Sequence, residues 1–200
     1  LALSNVHLSG REFFVGVCRQ ISEYLDLDFV FVGQYNAKEE AISILGGWGD
    51  GTEMEELVYG LMDTPCNNVI NKTTCIYEDK TKDLFPNDTL LQEMDINGYI
   101  GSPLYDKKNN PLGVLVGLRR KPLENSGFFE NYFKIFIERI SSEILRAKSE
   151  IELQRSEKEK ATILDSTLNG IYIYDYVKKN HEYINRAHTY LTGWTKDDLE

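Results

Sequence analysis

In "REFFVGVCRQISEYLDLD", Phe14, Cys18, Ile21 and Leu25 recur three or four apart, one apolar stripe that predicts a helix. Cys18 lies inside that stripe and is read as a packing residue. The pattern then turns to strands. "FVFVGQY" (29–35) and "AISILGG" (41–47) are β-rich runs joined by polar residues 36–40, which predicts a hairpin. "GDGTEMEELVYG" (49–60) reads as a turn and a short strand. In "TPCNNVIN", Thr64 is a helix cap and Pro65 takes the first helical position. "CIYE" is a short strand. "KTKDLFPNDTLLQEMD" holds one or two short helices, the second capped by Asp88 over Leu90, Leu91 and Met94. "GYIGSPLY" (98–105) and "LGVLVGL" (112–118) make a second hairpin around "DKKNNP", where Asn-Asn-Pro is the turn. The second of these strands is apolar at consecutive positions, so it is expected to be covered on both faces.

From Ser126 the helical period holds for about 40 residues. Phe129, Phe133, Phe136, Ile140 and Ile144 form a stripe that should pack on the sheet. The following "AKSEIELQRSEKEKA" is nearly all charge, yet the spacing continues through Ala147, Ile151, Gln154, Lys158 and Ala161. Such a helix finds a partner in a two-stranded coiled coil, with a seam weakened by Gln154 and Lys158, or stands alone in solvent. The last stretch predicts a strand (171–176), a polar turn at Lys178-Lys179-Asn180, a short strand and a helix from about Asn185. At this length it cannot bury enough surface to be stable by itself.

The 200 residues allow one or two domains, and 42% apolar with 12% aromatic content fits a globular chain. A formal charge of −10 argues against a basic nucleic-acid surface. No apolar run approaches the roughly 18 residues needed to cross a bilayer, and no signal peptide opens the chain. Leu1 follows no start methionine, which suggests a piece of a longer protein. Three cysteines, an odd number at low density, suit a reducing cytosol. In that setting the triplets Asn71-Lys72-Thr73 and Asn87-Asp88-Thr89 carry no meaning as glycosylation sites.

Histidines occur only at 7, 181 and 188. Residues 8–180 therefore lack the commonest general base and zinc ligand, and cannot build a Ser-His or Cys-His pair of their own. "GGWGDG" has glycines but no lysine and no following helical pattern, so it is a turn rather than a phosphate loop. Carboxylates such as Glu53, Glu55 and Glu56 lie in surface-like runs. Cys66 and Cys75 remain. Cys66 follows a helix cap by two residues, a position that can lower a thiol pKa, and redox chemistry is one reading. Packing or pocket lining is the other, since free cysteine is among the most buried residue types.

The order helix, hairpin, irregular helical insertion, hairpin, long helix resembles a GAF domain of the kind found in bacterial sensor kinases and diguanylate cyclases. The residues that carry the resemblance are "GREFFVGVCRQISEYLDLDFVFVGQY", "DTPCNNVI" and "LFPNDTLLQEMDINGYIGSPLYDKKNNPLGVLVGL". The end of the chain, with "NGIYIYD", "INRAH" and "LTGWTKDDLE", resembles the first third of a PAS domain. These resemblances imply a GAF sensory domain over 1–140, a helical linker over 141–168 and the beginning of a PAS domain over 169–200. The implied fold class is α+β, an α/β sandwich. Its central antiparallel sheet would have about six strands with terminal helices on one face, followed by a long signalling helix and a partial PAS fold.

The resemblance also implies a small-molecule pocket walled and lidded by 63–88. Its candidate lining is Tyr59, Cys66, Tyr77, Phe85, Tyr99 and Ser102. The cyclic-nucleotide set is incomplete here, because Phe85 is followed by Pro-Asn-Asp-Thr-Leu and no Asp-Glu. The bilin set needs a His beside a Cys and none is present. GAF-fold free-methionine sulfoxide reductases carry a His and a further Cys after their Phe-Pro, where this chain reads "FPNDTLLQ". The expected function is a non-catalytic sensory module of a cytosolic signalling protein, a histidine kinase or diguanylate cyclase. Its expected partners are a small ligand, a second copy through helix 127–168, and downstream PAS and output domains. No cofactor is assigned, and neither nucleic acid nor membrane insertion is expected. The alternative is a thiol-dependent reductase using Cys66 and Cys75.

Overall fold

A computed structural model describes residues 10–70, 72–195 and 198. His7 and Asn71 lie outside the described residues. The chain divides into two compact units, Leu1–Ala147 and Lys148–Glu200.

The first unit opens with helix α1 (Arg11–Leu25), whose buried side chains include Phe14, Cys18, Ile21 and Leu25. The helix stops at Asp26, in the left-handed region at φ 53°, while Ser22 Oγ donates to Leu27 O at 2.8 Å. Strands β1 (Phe29–Asn36) and β2 (Ala41–Gly49) form the expected hairpin. The segment expected to hold one short strand holds two, β3 (Thr52–Glu53) and β4 (Val58–Gly60), and both pair with β2. Then come α2 (Pro65–Val69), β5 (Cys75–Tyr77), α3 (Thr81–Leu84) and α4 (Thr89–Glu93). Strands β6 (Gly98–Tyr105) and β7 (Pro111–Arg119) and helix α5 (Ser126–Ser166) follow.

All seven strands join one antiparallel sheet in the order β3-β2-β1-β7-β6-β5, with β4 on the same edge of β2 as β3. The class is α+β, as the resemblance implied.

Strand alternation divides the sheet's side chains between two cores. One face presents Val30, Val32, Ile100, Leu104 and Leu115 to α1 and to the stripe Phe129, Phe133, Phe136, Ile140 and Ile144 of α5. The other presents Phe29, Phe31, Ile42, Ile44, Tyr99, Val114, Val116 and Leu118 to the insertion α2–α4. Strand β7 is buried on both faces, which explains its unbroken apolar run. Helix α1 packs close because of Gly46. A Cβ there would stand 2.8 Å from Phe14 Cβ and 3.0 Å from Val15 N.

The β6–β7 turn differs from the expectation in one detail. Asp106 organises it, Oδ1 accepting from Lys108 N at 2.7 Å and from Asn110 N at 2.8 Å. Pro111 begins β7 instead of closing the turn. It pairs only with Tyr105, because β1 meets β7 no earlier than Gly113, so its missing N–H costs nothing to the ladder.

An ionic clasp holds the strand ends. The Arg120 guanidinium forks onto Asp50 at 2.5 and 2.8 Å and reaches Met94 O at 3.2 Å. Its backbone N–H donates to Asp28 at 2.8 Å.

In the second unit, β8 (Tyr172–Asp175) pairs antiparallel with β9 (Asn180–Ile184), and α6 (Arg186–Thr192) follows. Asn185 is fully buried and ties these pieces together. Its Oδ1 accepts from Ile171 N and His188 N at 2.8 and 2.9 Å. Its Nδ2 donates to Leu164 O and Asn169 O, both at 2.9 Å. Tyr176, Val177, Tyr190, Leu191 and Trp194 stay exposed, so this unit leaves much apolar surface uncovered. The α5 positions Ile151, Gln154 and Lys158 are exposed as well.

Candidate functional site

The insertion between β4 and β6 roofs the second face of the sheet. Thr64 takes an extended conformation and Pro65 stands at the first position of α2, as the sequence predicts. Thr64 does not cap that helix through its side chain, however. Its hydroxyl donates to Leu61 O at 2.8 Å and closes the preceding turn instead. Asp88 does cap α4, its Oδ1 accepting from Leu91 N at 3.2 Å. Leu91 is buried, while Leu90 and Met94 are half-buried at the cavity margin.

Beneath this roof lies a cavity with about 430 Å³ of empty space, counting the mouth that opens to solvent. Its floor is Phe31, Ile44, Tyr99, Val116 and Leu118 of the sheet, and its walls include Met54, Leu57, Tyr59, Pro65, Cys66, Asp88, Leu90, Leu91 and Met94. The lining is overwhelmingly apolar. Among lining residues the polar side-chain groups are the Tyr59 and Tyr99 hydroxyls, the Cys66 thiol and the Asp88 carboxylate.

Three of these groups satisfy one another. Cys66 Sγ lies 3.2 Å from Tyr59 Oη and 3.3 Å from Tyr99 Oη. Burial pushes the Cys66 thiol up to about 11, despite the two phenol contacts, which favour the thiolate. Both phenols are raised well above the ordinary tyrosine value, by burial first and by Cys66 next. The helix start therefore does not activate Cys66, because a five-residue helix offsets little of the desolvation.

Tyr99 reaches Cys66 by lying along its own strand. A Cβ on Gly101 would stand 2.2 Å from Tyr99 Oη and 2.8 Å from Val69 Cγ2, so glycine is what leaves room for the ring. The covered β6 run left the side taken by Tyr99 open; it faces the cavity.

The other sequence-derived candidates sit elsewhere. Tyr77 pairs with Tyr99 on edge strand β5, their ring centroids 5.8 Å apart, and its hydroxyl accepts from Asn68 Nδ2 at 2.9 Å. Phe85 packs edge-on against Tyr77 at 5.1 Å. These two rings back the cavity wall without lining it. Ser102, a candidate lining residue, lies away from the cavity: it pairs with Leu115 and shares the helix-packed face with Ile100 and Leu104, where its hydroxyl meets Thr74 Oγ1 at 3.0 Å. Alternation from Tyr99 would have assigned that face once Tyr99 was placed. Cys75 is half-buried beside α2, its thiol donating to Asn68 O at 3.2 Å, and burial raises it also. The two cysteines are free thiols.

Asp88 was visible in the sequence as a helix cap but not as a cavity residue. It is half-buried, burial raises its carboxyl above the ordinary value, and no cation pairs with it among the described residues. No group of three or more His, Cys, Asp or Glu among the described residues is placed to hold a metal ion.

The arrangement of sheet, roofing insertion and flanking helices is the GAF fold, as the solved structures similar to this chain indicate. A GAF domain from an Acinetobacter phosphoenolpyruvate-protein phosphotransferase matches with a TM-score of 0.58 at 14% identity, over 72% of this chain and 87% of that one. A type II free methionine-R-sulfoxide reductase from Thermoplasma acidophilum matches at 0.55 and 14% identity, over 68% and 92%. The bacteriophytochrome RpBphP3 from R. palustris matches at 0.58 and 10% identity, over 78% of this chain and 38% of that one. No protein-family model matches the sequence, and no curated protein matches it. At these identities the likeness establishes the fold and leaves the activity to the site.

Proposed function

We propose that this chain is a sensory part of a cytosolic signal-transduction protein, binding a small molecule in the cavity beneath α2 and α4. The observation that carries this reading is the cavity itself, an apolar chamber whose one thiol is held protonated by burial and bonded to two phenols. A cysteine at about 11 has almost no thiolate at neutral pH, which favours binding over nucleophilic catalysis. GAF domains of signalling proteins among the similar structures support the same reading.

The output is a histidine kinase or diguanylate cyclase. Residues 169–200 are the start of a PAS domain, and a second copy pairs through 127–168. Exposed Ile151, Leu153 and Ile163 supply apolar surface for that pairing. Ligand binding then shifts the population between two packings of the paired helices, by as much as its affinity for the two packings differs.

Native mass spectrometry of the protein as purified tests this. A dimer with a stoichiometric extra mass that vanishes on denaturation is the expected result, and a monomer without added mass refutes it.

A second reading has its own support, because one thiol lies in α2 and a second beside it, and reductases share the fold. Turnover of free methionine-R-sulfoxide with a dithiol reductant, lost in Cys66→Ser, would establish that reading.

A further inference from the structure

Among the cavity's lining residues one side chain is charged, and no cation among the described residues offsets it. Asp88 lines the chamber with a carboxylate that caps α4 through Oδ1, and among the described residues no lysine or arginine pairs with it or lines the chamber. Capping does not need the charge, because asparagine caps a helix as well as aspartate does. Water reaches the carboxylate only in part, and burial already disfavours its ionised form.

An anionic ligand would enter an apolar space facing a carboxylate with no cation to offset it. A cationic one gains the Coulomb attraction and finds three aromatic side chains, Phe31, Tyr59 and Tyr99, in the lining. The neutral hydroxyls and thiol are already engaged with one another. We propose that the cavity takes a small organic cation, an amine or ammonium group on an apolar body, with Asp88 as its counter-ion. The inference rests on the reading of the cavity as a ligand site and names the class of molecule that site accepts.

The test is isothermal titration calorimetry of the 200-residue chain with matched ligands. Phenethylamine is compared with phenethyl alcohol and hydrocinnamate, and isopentylamine with isopentyl alcohol. Each amine should bind at least about tenfold tighter than its alcohol, and hydrocinnamate should not bind. Asp88→Asn keeps the cap and removes the charge. It should bring each amine down to its alcohol's affinity while leaving the alcohols and the circular dichroism unchanged. Alcohols that match their amines in the wild type, or amines that keep their advantage in Asp88→Asn, overturn the counter-ion and leave the cavity reading standing. If none of the five binds, both fall. Should Asp88→Asn fail to fold, the amine-to-alcohol ratio in the wild type decides alone.

Discussion

The contact between Tyr99 and Gly101 is where the site is most sharply built, and Gly101→Ala is its most informative perturbation. The added Cβ would stand 2.2 Å from Tyr99 Oη, 2.8 Å from Tyr99 Cζ and 2.8 Å from Val69 Cγ2. Ordinary contact needs about 3.5–4.0 Å, so the ring must move by roughly an ångström or more. It has little freedom to do so, being 1% exposed, bonded to Cys66 and backed by the Tyr77 ring. Overpacking of this kind costs about 1–3 kcal/mol, and losing the Cys66 contact adds about 1 kcal/mol. Removing glycine's freedom in the unfolded chain returns about 0.4–1 kcal/mol. The expected net destabilisation is about 2 kcal/mol. Urea unfolding followed through Trp48, in a Trp194→Phe background, measures it in the first unit. The decisive control is the cycle with Tyr99→Leu, which removes the atoms that clash. In that background the alanine should cost under about 1 kcal/mol, since of the three nearest atoms the two from Tyr99 are gone and Val69 Cγ2 remains. An equal penalty in both backgrounds, or none in either, refutes the account.

Four further outcomes are expected. Phe133→Ala, at the centre of the helix-packed core, should destabilise the first unit by about 3–5 kcal/mol in the same urea assay. Alkylation of the native protein should proceed at Cys66 with an apparent pKa of about 11, and at Cys75 above the ordinary thiol value; a Cys66 that reacts with a pKa below 8 would favour the reductase. Asn185→Ala leaves Leu164 O, Asn169 O and two backbone N–H groups without their partner, so hydrogen exchange over 164–192 should accelerate on the order of tenfold or more. Arg120 lowers the Asp50 carboxyl below its ordinary 3.8, so the clasp stabilises above that pH and fades as pH falls through the lowered folded value. The stability difference between wild type and Asp50→Asn should be at most about 1 kcal/mol at neutral pH and vanish in acid.

Elements defined by one strong local signal were legible in the sequence. The α5 stripe repeats five bulky residues at helical spacing, and all five are buried. The covered β7 announced itself by an apolar run without alternation. The Asp88 cap and the Pro65 start were set by neighbours within three residues. What depended on competing partners in the folded chain or on distant pairing was not legible. Thr64 has the chemistry of a cap, but Leu61 O lies in reach and takes its hydroxyl. Ser102 and Tyr99 sit in a run buried on both sides, where apolar character no longer marks a face. Alternation places them on opposite faces, and only the register with β7 says which face is the cavity's.

The same limit explains why Asp88 read as a cap at the end of the pocket's wall, with no role for its charge. A residue at a helix start is assigned its role by the three residues after it, and those roles are local. Whether its charge also matters depends on what the fold brings opposite, here Tyr59, Cys66 and Tyr99 from three other elements. These groups satisfy one another and leave the carboxylate as the one charged side chain among the residues lining an apolar chamber, with no cation beside it among the described residues. In a core built only for stability, asparagine would have capped α4 without that desolvation cost. A charge in place of the neutral amide at that position is the feature most directly tied to what the cavity admits.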